Sequence, residues 1–124
     1  PVSLLRVDSP VKGTAVIDPK VARKVIAMLE SVVQKGGTGW RAHVANYRAA
    51  GKTGTAYIAA KRGYDKKRFI ASFVGLAPVE NPRLVVAVVV RDPQEQHFGG
   101  IVAAPVFAKV MSGALRLLAV PPST

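Results

Sequence analysis

The 124-residue chain contains no cysteine, which excludes disulfides and thiolate metal sites but does not fix a compartment. Histidine is nearly as scarce. His43 and His97 stand far apart, and neither has the i, i+4 partner of a helical metal site, so no metal or other cofactor is expected. Acidic residues number 7 against 18 lysines and arginines, for a net charge of +11. The nearest acid pair, Asp92 and Glu95, flanks Pro93 in a turn and is a poor prospect for general acid–base work. No apolar run approaches the ~20 residues of a membrane helix. The start, Pro1 to Leu5, lacks the charged region of a signal peptide.

A charge of +11 would suit nucleic acid, but zinc spacings, basic amphipathic helices and RNA-binding aromatic signatures are all missing. Nucleic acid is therefore not an expected partner. The densest basic run, Lys61 to Arg68, lies between strand-like runs and holds Gly63 and Asp65. It reads as a solvated hairpin loop, with attraction to an anionic surface as the second reading. With 49% hydrophobic residues, the chain can build a modest core.

The pattern along the chain is α+β. Asp18-Pro19 is a helix start, Val21, Val25, Leu29 and Val32 form one apolar stripe expected to be core, and Gly36-Gly37 end the helix. A loop over 34–48 carries Trp40, His43 and Tyr47. Strands follow at about 48–60, 68–76 and 83–90, with a turn over 78–82. The third strand is continuously apolar from Leu84 to Val90, so both its faces should be buried. A last helix is expected over 102–118, its stripe formed by Phe107, Val110, Met111, Ala114, Leu115 and Leu118. Short connections make the three strands an antiparallel meander, with a helix before it and a C-terminal helix.

The run Ala50-Gly51-Lys52-Thr53-Gly54-Thr55-Ala56-Tyr57-Ile58 carries the most chemistry. Gly51-Lys52-Thr53 looks like the end of a phosphate-binding P-loop. That motif needs glycine where Asn46 stands, and a helix rather than a strand after the threonine. On a strand, Thr53 and Thr55 point the same way and can grip one carboxylate. Lys52 adds positive charge, and Gly54 clears space for a ligand backbone. Alternation sends Lys52 to the opposite face, so it can share the cleft only at a sheet edge or a twist.

A lysine, hydroxyl and glycine on a strand are the third signature of serine-reactive penicillin-binding proteins and class A β-lactamases. The ordered series around it is more specific: Ser9-Pro10, the helix Val21 to Val33, Gly37-Thr38-Gly39, Tyr47 to Ala56, Phe73 to Pro78, Asn81-Pro82-Arg83, Phe98-Gly99-Gly100, Ala103 to Phe107 and Val110 to Gly113. From about Asp8 to Pro122 the chain resembles the C-terminal part of the transpeptidase domain of class B penicillin-binding proteins. The Phe98 to Leu118 segment looks most like the division-specific, septal members.

The resemblance implies that residues 1–124 are an incomplete piece of the penicillin-binding protein/β-lactamase-like transpeptidase fold. It implies a parent D,D-transpeptidase at the periplasmic face of the inner membrane, acting on the D-Ala-D-Ala stem peptide of peptidoglycan, binding β-lactams and working with divisome proteins. Lys52 would assist proton transfer, Thr53, Gly54 and Thr55 would hold the substrate carboxylate, and the Thr55 N–H would donate to the oxyanion. The family also needs Ser-x-x-Lys and Ser-x-Asn. Ser9-Pro10-Val11-Lys12 is too close to Lys52 and too broken by Gly13 to serve as the first, and no Ser-x-Asn occurs. The isolated chain is thus expected to be inactive. It is also expected to self-associate through the apolar strand near 83–90, which the family fold pairs with a strand absent here. A D,D-carboxypeptidase or β-lactamase relative, and a non-catalytic penicillin-sensing or basic binding module, are the alternatives.

Overall fold

The computed structural model describes residues 13–61 and 63–123. Ser9-Pro10-Val11-Lys12 lies outside the described residues. The elements are α1 (Pro19–Ser31), β1 (Ala50–Ala60), β2 (Gly63–Ala77), β3 (Leu84–Arg91), α2 (Gly99–Val102) and α3 (Ala104–Leu117), with a 3-10 turn at Trp40–Ala42. Both strand pairings are antiparallel and the order is β1-β2-β3, the meander expected.

Helix α1 begins as the sequence dictates. Asp18 accepts from the Lys20 N–H at 2.6 Å, and Pro19, which has no N–H to leave unpaired, takes the first helical position. The helix ends at Ser31, five residues before Gly36. Tighter bonds take over there, from Val33 N to Glu30 O and from Gln34 N to Ser31 O.

The core lies on one face of the sheet. Phe73 of β2 meets Phe107 of α3 with ring centroids 4.8 Å apart. Met111, Leu115, Val44 and Ala77 close around them, all fully or almost fully buried. Gly75 makes room for Phe107: a Cβ there would come within 2.7 Å of the ring. The last helix is interrupted at Ala103. Pro105 has no N–H to bond back to Ile101, so it sits in the first turn of a new helix, and Phe107 N bonds Ala103 O at 3.0 Å. Of the expected α3 stripe, Phe107, Met111 and Leu115 are buried, whereas Val110 and Leu118 are exposed.

Three expectations are corrected. The α1 stripe is not core among the described residues: Val21 and Val25 are half exposed, and no α1 residue is buried. Strand β3 is not covered on both faces. Its exposure alternates, leaving Val85 70% and Val89 65% exposed, because the helical layer lies over the Leu84, Val86, Val88 and Val90 side only. The basic run is not a long loop either. β1 ends at Ala60 and β2 begins at Gly63, whose φ of 91° suits a tight reversal. Gly63 to Arg68 of the run form the start of β2, and the register jumps from Ile58↔Asp65 to Tyr57↔Phe69, which bulges Lys66 to Arg68 out of the ladder.

Candidate active-site wall

Strand β1 pairs only with β2 among the described residues, so its other edge is free. Thr53 and Thr55 share a face of it and line one groove of about 370 Å³ with Thr38, Trp40, Arg41 and the Phe98–Ile101 segment. Lys52 is exposed, and its stem passes round the free edge. The ammonium donates to the Thr53 carbonyl at 2.9 Å and lies 3.4 Å from Thr53 Oγ1. The edge position thereby lets a residue of the opposite face reach the threonine side.

The Thr53 carbonyl is thus engaged on the side away from β2. Residues two apart on an antiparallel strand aim their backbone groups the same way, so the Thr55 N–H also faces the free edge.

The groove floor is built from glycines. Gly99 lies on the β1–β2 backbone, where a Cβ would come within 2.1 Å of Ser72 O and 2.6 Å of Gly54 O. The Gly99 N–H donates to Thr55 Oγ1 at 3.3 Å. Gly100 packs as tightly on the loop after α1, 2.0 Å from Thr38 O by the same measure. Gly54 has a packing role as well, since a Cβ there would meet Ser72 Oγ at 2.5 Å.

An aromatic stack holds the segment before Gly99 against the strands. Centroids run 5.0 Å from Tyr57 to Phe69, 4.1 Å from Phe69 to His97 and 4.3 Å from His97 to Phe98. His97 therefore packs rather than gathering with acids, and no group of three His, Cys, Asp or Glu side chains placed to hold a metal exists among the described residues. Trp40 and Arg41 stand at the groove, with the guanidinium 5.5 Å from the indole centroid.

The entrance to β1 is fixed from three directions. Arg48 forms a two-pronged bond to Glu30 of α1 at 2.7 and 2.8 Å, and the hydrogen bond and charge of Glu30 raise the Arg48 pKa. Val79 N bonds Arg48 O at 2.9 Å. The chain's last stretch adds Tyr47 Oη to Val120 O at 2.7 Å and Arg48 N to Ser123 Oγ at 2.9 Å.

The structure thus brings Lys52, Thr53 and Thr55 together around one groove. Thr38, Arg41, Phe98 and Ile101 also line it; Thr38 and Phe98 belong to the ordered series read from sequence, but none of the four was assigned to the site there. The signals available were the glycines flanking Thr38 and those after Phe98.

Comparison with known proteins gives this arrangement its relatives. The profile of the penicillin binding protein transpeptidase domain matches residues 1–112. The chain is 45% identical over 123 residues to the probable peptidoglycan D,D-transpeptidase PbpC of Pseudomonas aeruginosa. It is 42% identical over 123 residues to the peptidoglycan D,D-transpeptidase FtsI of Escherichia coli. Each match covers 98% of this chain, but 22% of the first relative and 21% of the second. The chain therefore spans about a fifth of their length. The apo transpeptidase domain of Burkholderia pseudomallei penicillin-binding protein 3 superposes with a TM-score of 0.83 at 50% identity, covering 97% of this chain and 37% of that one.

Proposed function

The chain belongs to the penicillin-binding protein transpeptidase domain family, and from that premise we propose that it forms the lysine–threonine wall of a serine D,D-transpeptidase site. Residues 1–124 are then the C-terminal portion of a domain whose nucleophilic serine lies elsewhere. The observation that carries this reading is the edge strand: two threonines face one groove, a lysine turns round the edge to meet them, and backbone N–H groups face outward.

The chemistry follows from those positions. The terminal carboxylate of a D-Ala-D-Ala stem peptide, or that of a β-lactam, accepts from the Thr53 and Thr55 hydroxyls beside the Lys52 charge. The scissile carbonyl then lies along the strand edge, where the Thr55 N–H donates to the oxyanion. A donor of this kind is worth about 3 kcal/mol of transition-state stabilisation. The Lys52 ammonium stabilises the developing negative charge and supports proton transfer at the serine. Gly99 and Gly100 let the Phe98–Ile101 segment pack closely enough on β1 and on the Thr38 loop to form the floor of the groove.

The similarity to FtsI and to penicillin-binding protein 3 supports septal peptidoglycan cross-linking, at the periplasmic face of the inner membrane and alongside division proteins. In a protein containing the whole transpeptidase domain, Thr53→Ala and Thr55→Ala should each slow acylation by a fluorescent penicillin. Each removes a charge-assisted hydrogen bond of about 1.5–3 kcal/mol. Lys52→Ala should slow it while leaving the thermal midpoint unchanged. If all three variants acylate at the normal rate, this strand does not belong to the site. The isolated chain should keep its unmodified mass after incubation with penicillin, and an adduct on Ser9 would contradict the assignment.

A further inference from the structure

We propose that Thr38, on the loop that leaves α1, is a positioning residue for Thr53, and this rests on the reading of Thr53 as a carboxylate donor. The Thr38 and Thr53 hydroxyl oxygens lie 3.4 Å apart, and Lys52 Nζ lies 3.4 Å from the same Thr53 oxygen. A hydroxyl has one hydrogen to donate and two lone pairs to accept with, whereas an ammonium only donates. With Lys52 and Thr38 both donating to Thr53 Oγ1, its two acceptor sites are filled. Its single hydrogen is then directed into the groove, where the substrate carboxylate waits. The two donations also polarise the Thr53 O–H and strengthen the bond it makes.

Thr38 is held at this point by the backbone around it. A Cβ on Gly37 would lie 2.2 Å from Val32 O, so only glycine lets the chain turn this closely under the helix end. The Gly39 N–H then bonds the same Val32 carbonyl at 3.0 Å. On the other side the Thr38 carbonyl rests on Gly100. The Thr38 side chain itself is exposed, so its replacement leaves the fold intact.

The test uses a protein with the whole transpeptidase domain and a fluorescent penicillin as probe. Thr38→Val keeps the shape and removes the hydroxyl, and should slow acylation about five- to tenfold with an unchanged thermal midpoint. Thr38→Ser should restore the rate to within about twofold, since the donor returns. In a Thr53→Ala background Thr38→Val should have no further effect, because the group it acts through is gone. If Thr53→Ala slows acylation and Thr38→Val does not, or if the two losses multiply, the positioning role is overturned while the proposed function stands. If Thr53→Ala itself has no effect, the proposed function fails and the role of Thr38 fails with it.

Discussion

Helices α1 and α3 make an instructive pair. They are 13 and 14 residues long, and each carries an apolar stripe at helical spacing. The α3 stripe is fully buried at Phe107, Met111 and Leu115, whereas the α1 stripe leaves Val21 and Val25 about half exposed. Strand β3 repeats the contrast within one element, its even-numbered side chains packed on the core and Val85 and Val89 open. An amphipathic pattern says that a face wants cover. It does not say that the cover lies within the same 124 residues.

The sharpest way to break this contrast is to truncate one side chain in each helix. Phe107→Ala should destabilise the chain by about 3–5 kcal/mol, because the ring fills the space over Gly75 and against Phe73. Val25→Ala on α1 should cost less than about 0.5 kcal/mol in the same chain. Urea melts of the two variants compare them directly, and equal losses would mean that α1 is buried in solution.

Glycines extend the comparison with a change of sign. Gly99→Ala should destabilise by about 1–3 kcal/mol, since a Cβ there meets two backbone oxygens that cannot rotate away. A Cβ on Gly113, inside α3, meets nothing within 4 Å. Gly113→Ala should therefore stabilise by about 0.5–1 kcal/mol. Thermal melts should separate the two variants in opposite directions.

The outer edge of β3, unpaired among the described residues, should show itself in association. The isolated chain is expected to pair with a second copy along β3, because seven consecutive apolar residues from Leu84 to Val90 offer a flat edge with no proline or charge. Light scattering should report oligomers, and Val85→Lys with Val89→Lys should return a monomer. A wild-type monomer at high concentration, with freely exchanging amides over 84–90, would rule the pairing out.

The smallest effect belongs to Glu80, in the exposed turn before β3. Its pKa is lowered, first by the Ser123 hydroxyl and then by a backbone hydrogen bond. A carboxylate depressed in the folded state adds stability that is present above its ordinary pKa and fades as pH falls through the folded value. Glu80→Gln should therefore flatten the acid limb of a stability–pH curve slightly, and an unchanged limb would show the bond to be absent in solution.

Much of this was legible in the sequence for identifiable reasons. Asp18-Pro19 marks a helix start by hydrogen-bonding chemistry alone, and the β1 and β3 runs are strand-like without ambiguity. Thr53 and Thr55 share a groove because strand alternation leaves no other choice. Lys52 was harder, since alternation sends it to the wrong side. Only the free edge of β1, a property of the sheet, resolves it. Pro105, which lacks an N–H, accounts for the break at Ala103, whereas the helix expected over 102–118 carried no mark of the short helix Gly99–Val102 before it. Thr38 was out of reach, because its role depends on a loop brought 15 residues back against β1. The exposure of α1 and of half of β3 could not be read at all. A periodic stripe carries no record of where its partner is encoded.

The bonds at the entrance to β1 have a consequence for timing. Tyr47 reaches Val120 across 73 positions, and Arg48 reaches Ser123 across 75. Contacts so distant in sequence form late, because their loops must close before the bonds can reward closure. On a ribosome, the lysine–threonine strand is synthesised long before the residues that anchor its first turn have left the exit tunnel. The bonds from the first turn of the strand to Val120 and Ser123 therefore add to those already made by Glu30 and Val79 only after residues 120–123 have emerged. Deleting residues 120–123 should loosen the entrance to β1 even where the sheet has formed.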